Sequence, residues 1–536
     1  MTPYYRRMRP RRTLPVALAL AVALPWTALS AADAATPPTT TTTGTLLEVA
    51  IDDHDAPTST WVLEGDDGSL TEVKVPTSLR GAVGAPATVT LDTSTATPTV
   101  TAARPSTTLT PQVSRPTALH AYVVDIVDPT SSDTTTLAKA TATTKSMESY
   151  WVREGKGGIT SFDTTKAISF TQANACDMNV YELWAKAAAK FPGVAWGWAN
   201  HLVVYLPSDC AYGWTGLATI GGGYMMIVAP DLPTTAHELG HNLGLAHSNL
   251  EIKGKTYEYF GAFGPMGFSV NDYAPGTLDA AYQEQLALPK AAAARRTLTW
   301  GSTTTVTIAA VGAGAVNSVK VTDPKTGTSW FFEYRAGRGP DAKTFYATQY
   351  PFLYGPAGGL VDYRRGVQVS NLTSGGLITH TTIAADETWA ATRKGEWFVD
   401  RGKRLAMKVV STTATAATVQ IVTGGTGAAT PPRWTREGMA LPVVVVTPLA
   451  TKVGQKARVN IRVIDASVGS SESYAVPRIT IDGGTPINVK LDANGRATWT
   501  ASGPWAKGSY PVQVYYPGRA GQSLKANGYA TVVVTP

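Results

Sequence analysis

The sequence predicts a multidomain chain in which one α/β (α+β) domain is flanked by a small N-terminal β domain and by C-terminal β-sandwich domains. Three observations lead there. At 536 residues the chain has room for roughly three to four domains of about 150 residues each. Only residues 120–288 alternate strand-like and helix-like patterns, whereas the rest reads as short period-2 strands between Gly, Pro and Asn turns. The two cysteines are too few to staple a fold or build a Cys-rich zinc scaffold, so any metal site has to use His and carboxylates. Hydrophobic residues at 43%, with Gly at 50 and Pro at 35, exclude a disordered or fibrous chain.

Residues 1–34 read as a signal peptide: Arg6, Arg7, Arg9, Arg11 and Arg12, then an apolar run over 14–24, then the small-residue site Ala32-Asp33-Ala34. The run is too short for a transmembrane anchor and carries Pro15 and Pro25. The formal charge of +7 shrinks to +3 once five arginines and Asp33 leave with the leader, which removes the main argument for nucleic acid. The expected location is secreted and extracellular.

Residues 35–45 are a Thr/Pro-rich linker without apolar periodicity. Residues 46–103 read as a small β domain, a candidate propeptide, with strands such as 60–63 and 87–91, and 104–118 form a second linker. The α/β domain spans 119–290. Within it 121–127, 201–206 and 224–228 are strand-like, 134–151 is a candidate helix, and Val180, Leu183, Trp184 and Ala187 recur at helical spacing. A further helix begins near Pro233. Residues 291–423 form a β-rich domain, 424–440 a linker, and 441–536 an Ig-like β-sandwich of roughly seven short strands without His or Cys.

Only seven histidines occur, and three fall within eleven residues, His237-Glu238-Leu239-Gly240-His241-Asn242-Leu243-Gly244-Leu245-Ala246-His247. Pro233 suits the first turn of a helix, and Asp231 suits its positive end. Positions 237 and 241 then project from one face about 6 Å apart along the axis, so their imidazoles converge on one ion. Residue 247 is out of reach of a straight helix. Gly244 supplies the turn, because it adopts a positive φ at little cost and swings His247 back to the metal. Three neutral imidazoles leave a fourth position on one catalytic Zn2+ for water, whose pKa falls toward about 7, and Glu238 beside it is the general base. Burying three His and a Glu unpaired in eleven residues is a costly alternative.

These residues resemble the metzincin metallopeptidases, whose signature is His-Glu-x-x-His-x-x-Gly-x-x-His followed by a Met-containing turn. The turn is matched by Gly264-Pro265-Met266-Gly267, and the resemblance implies that Met266 is a hydrophobic floor beneath the ligands. Within the clan the chain most resembles the gametolysin-like peptidases, through His241 to Asn249, the Met266 turn and Ala281-Tyr282-Gln283-Glu284-Gln285-Leu286. The last unit resembles bacterial Ig-like domains. The implied activity is a zinc-dependent endopeptidase acting on protein or peptide substrates. Two departures stand out. Phe268 occupies the place of a tyrosine fifth ligand, and no cysteine precedes the catalytic domain, which excludes latency by a propeptide thiolate.

Other features read in two ways. Cys176 and Cys210 are expected to form a disulfide in an oxidising destination, with two free thiols as the alternative. The strand around Gly216, Leu217 and Ala218 reads as an exposed edge that binds an extended peptide, which the resemblance favours, or as a buried strand. Asp52-Asp53-His54 reads as an inhibitory cap on the zinc or, as Asp clusters before Pro commonly do, as a surface turn. Calcium stays open as a second ion, since no residue pattern specifies it. The alternative to an enzyme is an extracellular adhesion or cell-wall-binding protein with a vestigial zinc site, whose C-terminal β domains hold cell-surface or matrix material. Intact Glu238 and all three histidines weigh against it.

Overall fold

The computed structural model describes residues 38–53, 58–82, 86–105, 115–133, 135–210, 212–228, 230–252, 254–268, 273–348, 352–354, 360–383, 388–400, 404–424, 442–465, 470–471, 478–481, 487–492, 495–517 and 526–536. The signal peptide and most of the linker predicted at 424–440 lie outside them. Among the described residues the molecule is mostly β with few helices, and no helix is long and apolar enough to cross a membrane.

A ten-stranded sheet carries the N-terminal half. Its strands are β1 (Thr39–Asp53), β2 (Thr58–Gly65), β3 (Leu70–Val73), β4 (Pro86–Asp92), β5 (Thr99–Pro105), β6 (Ala118–Val127), β7 (Ser161–Thr171), β8 (Asn200–Leu206), β9 (Trp214–Ile220) and β10 (Tyr224–Val228). The order β3-β2-β1-β9-β10-β8-β6-β7 runs unbroken from the N-terminal unit into the α/β unit, and β4 and β5 pair off β1. The linker expected at 35–45 is therefore partly strand: Thr39 to Thr45 lie antiparallel to Asp92 to Pro86. β-branched threonines suit an extended ladder once a partner is supplied, so composition alone misreads them.

Helix α1 (Leu137–Glu154) starts at Thr136, which caps Lys139 N, and α2 (Val180–Ala188) starts at Asn179, whose side chain accepts from Tyr181 N at 2.8 Å. The period-2 alternation of β8 sorts side chains onto two buried faces. Val203 and Tyr205 join Met147 and Trp151 of α1 and Leu239 of α3 (Leu232–Asn242). Leu202, Val204 and Leu206 join Leu183 and Trp184 of α2, together with Leu47 and Val49 of β1. The expected Cys176–Cys210 disulfide is present and ties the approach to α2 to the exit of β8.

Downstream, β11 (Ser248–Ile252) and β12 (Lys255–Tyr257) leave the first sheet and enter a seven-stranded one with Gly376–His380, Gly366–Thr373, Ser329–Arg335, Ser318–Thr322 and Arg295–Leu298. This sheet crosses position 290, where the sequence places a border. It shares a core with a four-stranded sheet of Thr303–Ala309, Ala416–Thr423, Leu405–Thr412 and Trp397–Val399. Strands between Pro442 and Thr535 form two further sheets over one core that includes Val459, Ile461, Val514 and Val532.

Candidate metal centre

Helix α3 carries the first two histidines. Asp231 caps it by accepting from Thr234 N at 2.9 Å, and Pro233 sits in its first turn. It is anchored by Trp151 Nε1, which donates to Ala236 O. The helix ends at Asn242, Gly244 follows with φ +82°, and Leu245 N donates to Gly240 O at 3.0 Å. That reversal returns the chain to His247 at the head of β11. His247 O accepts from Tyr282 Oη and Leu377 N, so residues on both sides of position 290 hold the third histidine.

The three rings converge. His237 Nε2 and His247 Nε2 each lie 3.1 Å from His241 Nε2. Their other nitrogens are committed, for His237 Nδ1 donates to Pro265 O at 2.9 Å, His241 Nδ1 donates to Leu245 O at 2.8 Å, and His247 Nδ1 faces the Glu258 carboxylate. Carbonyls only accept, so at His237 and His241 the proton is on Nδ1 and Nε2 presents a lone pair. Lone pairs that close repel each other unless a cation lies among them. Three imidazoles with a carboxylate suit zinc. Met266 is buried beneath the site, where a Cβ on Gly240 would meet its Sδ at 2.2 Å, so the glycine is what lets the Met turn close against α3.

The fourth donor is Asp52, from β1. Its Oδ1 lies 3.1 Å from His247 Nε2 and its Oδ2 3.2 Å from His237 Nε2, and the four prospective ligand atoms fall within 4.8 Å of one another. Tyr259 Oη donates to the same Oδ1 at 2.9 Å, and its ring centroid is 4.1 Å from that of His247. Tyr259 holds a positive φ of 65°, an uncommon backbone state for a bulky residue and one that clusters at functional sites.

Electrostatics follow from burial and this crowding. Burial pushes Asp52 up, but the imidazoles around it, His237 foremost, win and hold its carboxyl well below the usual range. Burial lowers His237 to about 3, which keeps it neutral as a ligand must be. At His247 burial is outweighed by the Asp52 and Glu258 carboxylates, which raise it to about 9, a sign that positive charge is favoured at that spot. Glu238 is buried, both its oxygens lack a hydrogen-bond partner, and burial followed by the Asp52 charge pushes its carboxyl well above the usual range.

Gly216 faces Glu238 directly: an added Cβ would stand 2.1 Å from Glu238 Oε1. The strand around it is not an exposed edge. β9 is flanked by β10 on one side and β1 on the other, and Leu217 and Ala218 are buried. The exposed-edge expectation fails because a partner some 165 residues earlier in the chain covers that edge.

Of the residues around the site, Asp52 was legible only as one of two readings of an acidic cluster, and His54 lies outside the described residues. Glu258, Tyr259 and the Tyr282 anchor carry no spacing signal of their own. The remaining described histidines make their contacts elsewhere: His201 Nδ1 pairs with Asn242 Oδ1, His120 with Asp163, and His380 with Asn371.

No protein-family profile matches this chain, and no curated protein does. Among solved structures, the extracellular domain of a one-component system from B. thetaiotaomicron aligns over 40% of this chain and 29% of that chain, at 13% identity and a TM-score of 0.13. The extracellular domain of a hybrid two-component system from the same organism aligns over 40% and 30%, at 11% identity and a TM-score of 0.14. The chain thus spans less than a third of the length of those structures, and overlap of that quality assigns no shared fold.

Proposed function

We propose that the protein is a secreted zinc-dependent endopeptidase of the metzincin type, most similar to the gametolysin-like peptidases, acting on peptide bonds of extracellular proteins. The observation that carries this reading is the convergence of the Nε2 atoms of His237, His241 and His247 beside the buried Glu238. A structural cluster has no use for such a carboxylate.

His237, His241 and His247 would hold the ion. When bound, zinc supplies a Lewis acid and lowers the pKa of water. Glu238 takes a proton from the attacking water and delivers it to the leaving amide nitrogen, and its raised pKa suits a carboxyl that must hold a proton between those steps. Tyr259 Oη, a phenol that burial and then Asp52 keep protonated, donates to the oxygen on which charge develops. Gly216 on β9 leaves the Glu238 carboxylate clear of a side chain from that strand. The predicted leader and the disulfide support export. The adhesion reading leaves Glu238 without a purpose.

The test separates metal from chemistry. Native mass spectrometry is expected to find one zinc per chain, lost in His241→Ala and kept in Glu238→Gln. A mixed peptide library should be cut by the Asp52→Ala chain, which lacks the fourth carboxylate, and about 10^2 to 10^4-fold more slowly by Asp52→Ala with Glu238→Gln. Hydrolysis that survives both chelation and Glu238→Gln would refute the proposal.

A further inference from the structure

We infer that Glu258 is a positioning residue of the metal centre: its carboxylate selects the tautomer of His247 that offers Nε2 to the ion, so that one of the three ligands owes its grip to a charged side chain. The inference rests on reading the three histidines as the metal centre of the proposed peptidase.

The rings are held in two ways. His237 Nδ1 and His241 Nδ1 donate to main-chain carbonyls, of Pro265 at 2.9 Å and Leu245 at 2.8 Å, so their tautomers do not depend on another side chain. His247 Nδ1 instead lies 2.5 Å from Glu258 Oε1. A carboxylate only accepts, so the shared hydrogen belongs to Nδ1 and Nε2 keeps its lone pair for a metal. Its charge also makes the imidazole a more basic ligand, as in other carboxylate–histidine–metal pairs. An amide in the same place has both an acceptor and a donor. Turned over, it donates to Nδ1 and admits the tautomer whose Nε2 carries the hydrogen and cannot bind.

The chain places this carboxylate with a short hairpin. In β11 and β12 Leu250 pairs with Tyr257 and Ile252 with Lys255, so the residue after β12 returns to the start of β11, next to His247. Beyond it the backbone is pinned. Tyr259 N donates to Asn249 Oδ1 at 3.2 Å, Gly261 N to Ser248 O at 2.9 Å, and Phe268 N to Tyr259 O at 2.6 Å. The positive φ of Tyr259 falls at the very next residue, an unfavourable backbone state held where the chain passes a ligand.

The plainer reading is a surface ion pair, for the Glu258 side chain is 43% exposed and exposed pairs add little stability. Its partner is no surface group, however. The His247 ring is only 9% exposed, and its Nε2 stands 3.1 Å from His241 Nε2, among the prospective ligands. The exposure of Glu258 has a use in testing the assignment, because solvent reaches the carboxylate and a small anion can take its place.

The test uses the full chain, wild type against Glu258→Gln and Glu258→Ala, with zinc affinity measured at fixed pH by competition with a chromophoric chelator. Gln fills the same space and still accepts, so a merely structural contact tolerates it. The expected result is zinc affinity about 10- to 100-fold weaker in both variants, partly recovered in Glu258→Ala by added formate and not by chloride at equal ionic strength. Affinity unchanged in Glu258→Gln overturns the inference. A loss in both variants that formate does not reverse means that the hairpin has moved, and overturns it too. Neither result involves hydrolysis, so both leave the peptidase reading standing. Zinc weakened and recovered as expected, in a chain that cuts no peptide, overturns the peptidase reading alone, and a wild-type chain that binds no zinc overturns both.

Discussion

Two buried polar clusters in this molecule obey opposite rules. Around Arg335, which is fully buried, the guanidinium donates to Gln368 Oε1, Thr277 O and Asp279 Oδ1, while Glu333 accepts from Ala280 N and Asp341 from Thr277 N and Oγ1. Almost every charge there has found a partner, with Asp279 Oδ2 the exception. Around His241 the outer ring nitrogens are engaged, but three Nε2 atoms crowd together, two of them 3.1 Å from that of His241, and Glu238 is buried beside them and the Asp52 carboxylate. The first cluster joins Asp279, ahead of the Ala280–Gln285 helix, to the strands Ser329–Arg335 and Gly366–Thr373. The second is drawn together around the Asp52 carboxylate and the three Nε2 atoms. Unspent acceptors aimed at one point separate a working site from polar glue.

The comparison can be broken by substitution. Arg335→Met leaves the buried carboxylates of Asp279, Glu333 and Asp341 without their guanidinium, so urea unfolding followed by tryptophan fluorescence should show a loss of about 3–5 kcal/mol. A loss under about 1 kcal/mol would remove the contrast. Next comes His201, buried against Asn242 of α3 and lowered by burial to about 4. Its folded pKa lies below the unfolded value of 6.5, so the fold prefers the neutral ring. Stability from this group is complete above pH 6.5 and falls as pH drops toward 4, by up to about 3 kcal/mol. His201→Gln should flatten that part of the pH profile, and an unchanged slope between pH 6.5 and 4 would show that His201 does not cause it.

The smallest change in stability is expected at the residue proposed to matter most for chemistry. Glu238→Gln puts a neutral amide where burial and the Asp52 charge already disfavour the ionised carboxylate, so the folded chain should lie within about 1 kcal/mol of wild type or above it, with zinc still bound. A large destabilisation there would mean that Glu238 is structural, like Arg335.

Legibility in the sequence tracked the distance between interacting residues. The α3 helix, its stop at Gly244 and the presentation of His237 and His241 on one face are local, because four residues of helix and a positive φ determine them. The strand-like apolar runs at 201–206 and 224–228 announced β8 and β10 for the same reason. The threonines at 39–45 gave a misleading local signal, since their strand depends on β4, about fifty residues on. The cluster at 52–54 stayed open between cap and turn, because His247 is 195 positions from Asp52 and Tyr259 is 207. Tyr259 was visible in the Met266 turn, yet nothing in its spacing pointed it at the rings.

What the amino-acid order determined by itself is a helix that offers two imidazoles and a carboxylate, with a glycine turn that returns a third imidazole, because helical pitch and glycine's freedom need no distant partner. Only the tertiary structure decided that β1 covers β9, that Asp52 and Tyr259 join the histidines, and that Tyr282 and Leu377 brace His247. Those contacts depend on strand pairing and core burial between segments far apart in the chain, and no short window of sequence contains both partners.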